Sequence, residues 1–252
     1  MTKDGSEKVA FITGANRGIG FETARELAEK GVHVVLGARD VASGEAAAQK
    51  LRTRKLLADS IIFDVTNAQH IQAAVQYFNE KFGRLDILVN NAGVMIEAED
   101  ASASRSNRTS STSAEVLKKT FDVNFFAPVA LTQAMIPLLK KSTSGRIVNL
   151  SSILGSLTLH ADAKSPIYDG KVFAYDASKT ALNAFTIHLA HELKTTKIKV
   201  NSAHPGWVKT AMGGQSAPME VADGGKTSVE LALLPDNGPT GGFFHRGETL
   251  PW

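Results

Sequence analysis

The sequence predicts one α/β domain over residues 1–252, with a parallel sheet of about seven strands covered by helices on both faces. Two observations lead there. Short apolar runs alternate with longer stretches of helical period along nearly the whole chain, the pattern of strands joined by crossover helices. The first run also ends in a glycine-rich turn that leads straight into a helical pattern. No internal repeat and no second domain is visible.

The elements follow in order. Lys8–Thr13 is a short apolar run and reads as a buried strand, with a helix over Gly18–Lys30. Val32–Gly37 is the second strand, and Val41–Arg54 a helix that Asp40 would cap. Ser60–Phe63 is a strand, Ala68–Phe82 a helix and Leu85–Asn90 a strand. Glu97–Ser113 is rich in Ser, Ala, Asn and Arg without periodicity, so it reads as a surface loop whose end borders a cleft in the alternative reading. Ala114–Lys141 is a long helical stretch that Pro128 and Pro137 are expected to kink or shorten. Gly145–Leu150 is a strand, Val172–Thr195 a helix and Lys197–Ala203 a strand. His204–Pro218 reads as a loop, Val221–Leu234 as a helix and Gly241–Phe244 as a last short strand.

Composition excludes several function classes. There is no cysteine, which removes disulfides, thiolate metal sites and thiol nucleophiles. The net charge of +3 comes from 28 basic against 25 acidic residues, and no basic run suggests a nucleic-acid partner. Met1–Lys8 lacks the apolar core of a signal peptide, and no stretch approaches 18 apolar residues, so a cytoplasmic protein without a membrane partner is expected. His188 and His191 are the closest histidine pair, but no third ligand accompanies them, so no metal site is expected.

The turn reads Thr13-Gly14-Ala15-Asn16-Arg17-Gly18-Ile19-Gly20. Glycines there allow a tight turn and a close approach of backbone to a pyrophosphate. The following helix N-terminus offers free N–H groups and positive potential to phosphates. The second strand ends Leu36-Gly37-Ala38-Arg39-Asp40. NAD sites tend to place an acidic residue near this point to bind the ribose 2′-hydroxyl. Here Ala38 is followed by Arg39, and Arg17 lies in the turn; two guanidinium groups suit a 2′-phosphate.

Four further features appear in order: Asn90-Asn91-Ala92-Gly93, Asn124, Ser151-Ser152, and Tyr175-Asp176-Ala177-Ser178-Lys179. With the glycine turn, this set resembles the short-chain dehydrogenase/reductase family from about Lys8 to Phe244. The resemblance implies a doubly wound Rossmann fold, NADP(H) as cofactor and a small-molecule carbonyl or alcohol substrate. Tyr175 and Lys179 share a helical face, where an ammonium is expected to lower the tyrosine pKa. The resemblance makes Tyr175 the acid or base and gives Lys179 the nicotinamide ribose. Ser152 would bind the substrate oxygen and Asn124 order a water in the proton relay. Ser152 is preferred to Ser151 because it stands three residues before Gly155, and strand alternation puts the two serines on opposite faces. Tyr168 is assigned to a loop, since Asp169-Gly170 marks a turn.

The same resemblance assigns cofactor contacts to Gly14, Asn16, Arg17, Gly18, Ile19, Gly20, Arg39, Asp64, Val65, Asn91, Ala92, Gly93, Pro205, Gly206, Val208 and Thr210, besides Tyr175 and Lys179. Trp207 either packs against substrate or is an ordinary packed aromatic. The segment Ser156–Ala174 between Ser152 and Tyr175 is long and reads as a surface loop, which resembles the monomeric carbonyl reductases of the family. That branch implies NADPH-dependent reduction of ketones and aldehydes by a monomer, with a homo-oligomer as the alternative. Two other functions remain beside it: a non-enzymatic NADP-binding sensor, and an enoyl (C=C) reductase on the same fold.

Overall fold

The computed structural model describes residues 7–98 and 108–252. Residues 1–6, and 99–107 of the expected loop Glu97–Ser113, lie outside the described residues. The first half alternates as expected: β1 (Val9–Thr13), α1 (Gly18–Glu29), β2 (His33–Ala38), α2 (Val41–Arg52), β3 (Ala58–Ile62), α3 (Ala68–Lys81) and β4 (Ile87–Asn90). Asp40 caps α2, its carboxylate accepting the Ser43 amide at 2.8 Å.

Ala114–Leu139 is one helical path in three parts: α4 (Ala114–Phe121), a π turn (Asp122–Phe126) and α5 (Ala127–Leu139). Neither proline ends the helical path, and Pro137 lies inside α5, which stops at Leu139, two residues before the expected Lys141. Pro128 falls in the first turn of α5 and has no N–H for the carbonyl of Asn124. The ladder widens just before it, and the Ala127 amide bonds to the Asp122 carbonyl. This helix is long and apolar enough to cross a membrane by length and composition, contrary to the expectation that no stretch comes near one. Its Leu131, Met135, Leu138 and Leu139 are packed in the core.

The remaining elements are β5 (Arg146–Leu150), α6 (Leu157–Ala161), α7 (Phe173–Glu192), β6 (Lys199–Ala203), α8 (Lys226–Ala232), β7 (Phe243–His245) and β8 (Glu248–Thr249). Three differ from expectation. The segment Ser156–Ala174 contains the short helix α6, started by Ser156, whose hydroxyl accepts the Leu159 amide at 3.2 Å. A 3-10 turn, Val221–Asp223, precedes a shorter α8. The two-residue β8 returns antiparallel onto β7, giving eight strands where about seven were expected. Two residues carry too little pattern to read as a strand.

The strand order is β3-β2-β1-β4-β5-β6-β7-β8, parallel up to β7. Side chains alternate across it. Ala10, Ile12, Val34, Leu36 and Val89 face α1, α2 and α8. Phe11, Val35, Leu88 and Ile147 face α3, α5 and α7. Each large side chain so buried contributes roughly 1.5–3 kcal/mol. A buried polar row crosses the sheet at β4 and β5. Asn90 donates to Thr132 (2.9 Å) and Asn149 (2.8 Å), and Asn149 donates to Thr186 (2.8 Å). Each bond links a strand to a helix or to its neighbouring strand, so β4, β5, α5 and α7 are held in one register.

Candidate active site

From the β1–β4 boundary the connections run outward in opposite directions, which opens a crevice beyond the C-terminal strand ends. A cleft of about 600 Å³ occupies it. One wall is the turn before α1. A Cβ on Gly20 would lie 2.4 Å from Asn91 Nδ2 and 2.6 Å from the Gly14 carbonyl, so only glycine lets α1 start so close to the strand ends. Thr13 Oγ1 accepts the amides of Asn91 and Ala92, both at 3.0 Å, and Asn91 Nδ2 donates to the Thr13 carbonyl at 2.7 Å. These bonds fasten the segment Asn90–Gly93 to the turn. Arg17 occupies the N-cap of α1 without a side-chain cap, and no acidic residue stands in the first turn. The positive end of α1 faces the cleft through Gly18, Ile19 and Gly20.

Arg17 and Arg39 are both exposed and both line the outer cleft. Among the described residues neither side chain makes a hydrogen bond or an ion pair. Ala38 is buried and uncharged, and Asp40 is turned onto its own helix. Asp64 also lines the cleft, within reach of the Arg39 charge. The Thr66 amide (2.9 Å) and hydroxyl (2.7 Å) hold its carboxyl below the usual range, aided by the charge of Arg39. This end of the cleft therefore presents two uncommitted guanidinium groups to an anion. Asn16 also lines it and donates to Ser43 at 3.2 Å, linking the turn to α2.

The inner end is built by the β5 terminus and α7. Ser152 and Tyr175 are both 8% exposed, and the Ser152 hydroxyl is near enough to act on the Tyr175 phenol. Ser152 Oγ also accepts the Leu154 amide at 3.2 Å, which starts the 3-10 turn Ile153–Gly155. A Cβ on Gly155 would lie 2.9 Å from the Lys179 carbonyl carbon and 3.0 Å from its Cβ, so this turn packs directly on the backbone of α7. Lys179 Nζ is buried, 5.6 Å from the Tyr175 ring centroid, and donates to the Leu150 carbonyl at 2.8 Å. Asn124, in the π turn, accepts the Val94 amide and donates to the Val94 carbonyl, both at 2.8 Å. It also donates to Ser178 at 3.0 Å. Ser178 donates to the Tyr175 carbonyl at 2.7 Å. Asn124 thus ties α7 to the loop after β4.

The electrostatics correct one expectation. Burial pushes the Tyr175 phenol up to about 12, opposed by the nearby Ser152 hydroxyl and reinforced by the charge of Asp176. Burial brings Lys179 down to about 8. Desolvation dominates the shift, and the Lys179 ammonium is not among its causes.

Most of the expected cofactor set reaches the cleft, including Val65, Ala92, Gly93, Pro205 and Thr210. Gly206 and Val208 lie behind the wall. Gly206 makes a turn at φ 90°, and Val208 is buried beside Gly224. Trp207 donates from its indole to the Gly213 carbonyl at 2.6 Å and keeps 43% of its surface exposed. Its indole therefore braces the loop.

Sequence reasoning missed Phe63, Val94, Val123 and Met212 on the wall, and it set Ser151 aside in favour of Ser152, whereas Ser151 lines the cleft and Ser152 is not part of its wall. Met212 adjoins a motif residue, a signal that proximity alone offered. Phe63 and Val123 look like ordinary core residues and carried none. His204 was also missed. Its Nδ1 accepts the Ile153 amide at 3.2 Å, next to Ser152, and burial brings its pKa down to about 3. Tyr168 lies in a turn, and His188 and His191 are exposed on α7. No cluster of metal-ligating side chains occurs among the described residues.

The family model for short chain dehydrogenases matches residues 8–221. The (-)-isopiperitenone reductase of Mentha piperita is 35% identical, over 97% of this chain and 98% of its own. Carbonyl reductase (NADPH) 1 of Mus musculus is 32% identical over 98% and 99%. The NADPH-bound carbonyl reductase from chicken fatty liver superposes with a TM-score of 0.82 at 27% identity, over 98% of this chain and 99% of that one. With the glycine cradle, Tyr175 and Lys179 on one cleft, these matches establish that the chain belongs to the short chain dehydrogenase family.

Proposed function

We propose that this chain reduces ketones and aldehydes to alcohols with NADPH, reversibly, as a single cytoplasmic domain over residues 1–252 that works as a monomer. The observation that carries the reading is Tyr175 and Lys179 together on the inner wall of the cleft, the Lys179 ammonium 5.6 Å from the Tyr175 ring, beside the β5 terminus that carries Ser152. The cleft suits the cofactor. Its outer end offers two guanidinium groups to a 2′-phosphate, and its middle offers the α1 N-terminus to a pyrophosphate. NADPH supplies the hydride when bound. Tyr175 holds its proton at neutral pH and gives it to the carbonyl oxygen as the alkoxide forms. Ser152 steadies the same oxygen. Lys179 lies where it can reach the nicotinamide ribose, and Asn124 orders the segments around it and a water that returns the proton. Oxidation of the alcohol needs the phenolate, so it is favoured only at alkaline pH.

The similarity to reductases named for carbonyl substrates supports a small-molecule carbonyl substrate. The test is turnover of NADPH and of NADH with ketones, aldehydes and activated alkenes. Consumption with carbonyls supports the reading, consumption with alkenes alone would replace it by enoyl reduction, and binding without consumption would leave a sensor. Elution of the chain as a dimer in size-exclusion chromatography would overturn the monomer.

A further inference from the structure

His160 stands at the junction of the two catalytic elements. It lies on α6 with its side chain 13% exposed and forms no part of the cleft wall. Its Nε2 is 2.9 Å from the carbonyl oxygen of Leu154 and 3.3 Å from Asp176 Oδ2. Leu154 is the residue whose amide donates to Ser152 Oγ. Asp176 follows Tyr175, and its Oδ2 accepts the amide of Val172, the N-cap of α7, at 2.9 Å. One ring nitrogen therefore touches both the turn of the serine and the helix of the tyrosine.

The other nitrogen fixes the tautomer. Nδ1 is 2.9 Å from Lys171 Nζ, which also donates to the His160 carbonyl at 3.1 Å. An ammonium has donors only, so Nδ1 accepts and the ring proton resides on Nε2. There it faces the Leu154 carbonyl and the Asp176 carboxylate. Burial raises Asp176, and its His160 contact is the largest side-chain contribution opposing that rise.

We propose that His160 is a positioning residue: with Lys171 and Asp176 it sets the placement of Ser152 against Tyr175 and latches the segment 156–172 to the catalytic helix. The proposal rests on Ser152 and Tyr175 as the reacting pair. Its leverage is geometric, because a displacement of about 1 Å at reacting groups costs on the order of 100-fold in rate.

The test compares His160→Ala, His160→Gln and Lys171→Met with the wild-type protein in kcat, KM, NADPH affinity and thermal midpoint. His160→Ala is expected to lower kcat about 10- to 100-fold with NADPH affinity unchanged. Glutamine, whose amide can donate to the Leu154 carbonyl, or added imidazole should restore most of it. Lys171→Met should lower kcat by a smaller factor. Wild-type kcat in His160→Ala, or a loss that neither glutamine nor imidazole restores, would overturn the proposal. If the alanine variant does not fold, unchanged kcat in Lys171→Met overturns it. Nitrogen-15 NMR of the His160 ring, in mildly alkaline buffer, separates this from the function itself. A proton on Nε2 supports the latch and a proton on Nδ1 refutes it, whether or not the protein turns over any carbonyl. Absence of carbonyl turnover in the wild-type protein would instead sink the proposed function and leave the ring tautomer to decide the latch.

Discussion

Replacing Lys179 by methionine should stabilise the unliganded protein while abolishing activity. The lysine is fully buried, and desolvation brings its pKa from 10.5 to about 8. A folded value below the unfolded one means the unfolded chain binds more protons, so the penalty for burying the charged form is complete below pH 8. It is relieved as pH rises from about 8 towards 10.5. The interval corresponds to roughly 3 kcal/mol at neutral pH. Methionine fills a similar volume but leaves the Leu150 carbonyl without its donor, which costs about 1 kcal/mol. A net gain of roughly 2 kcal/mol remains, or about 4–8 °C in Tm for a chain of this size. Thermal unfolding followed by circular dichroism, with protein free of cofactor, reads this directly. The gain should be largest near neutral pH and shrink towards zero as the pH approaches 10. A variant less stable than wild type at neutral pH, or a gain independent of pH, would refute the desolvation argument.

Other substitutions probe the rest of the site. Tyr175→Phe should lower kcat by roughly 100- to 10,000-fold while NADPH titration still shows binding, because only the proton donor is lost. Arg39→Ala should weaken NADPH about 10- to 100-fold, the worth of a charge-assisted bond to phosphate, and leave NADH nearly unchanged in the same titration. Gly155→Ala should push the serine turn off α7, costing roughly 1–3 kcal/mol in denaturant unfolding and lowering kcat. Asp40→Ala should lower the thermal midpoint through the lost α2 cap, with kcat unchanged.

What was legible in the sequence was what local pattern and chemical type carry. Strand–helix alternation announced the parallel sheet, and Asp40 announced its own cap. The spacing of Tyr175 and Lys179 on one helix put them at one site, as α7 bears out. What was not legible depended on distant partners. No local signal shows that Pro128 would be absorbed by a π turn. The sign of the Tyr175 shift depends on how completely β5, α7 and the loops exclude water. His160, Asp176 and His204 looked like scattered polar residues. Their contacts join segments 16 to 51 residues apart, and only the folded chain brings those together.

The central claim is that Tyr175 passes a proton to a carbonyl reduced with NADPH. Its most direct test follows cofactor absorbance with ketones and aldehydes for the wild-type protein and Tyr175→Phe side by side, with NADPH and then NADH. The account predicts carbonyl-dependent consumption of NADPH by wild type, little with NADH, and roughly 100- to 10,000-fold slower consumption by Tyr175→Phe despite retained binding. Equal turnover by both proteins, or no turnover by wild type with any carbonyl, would contradict it.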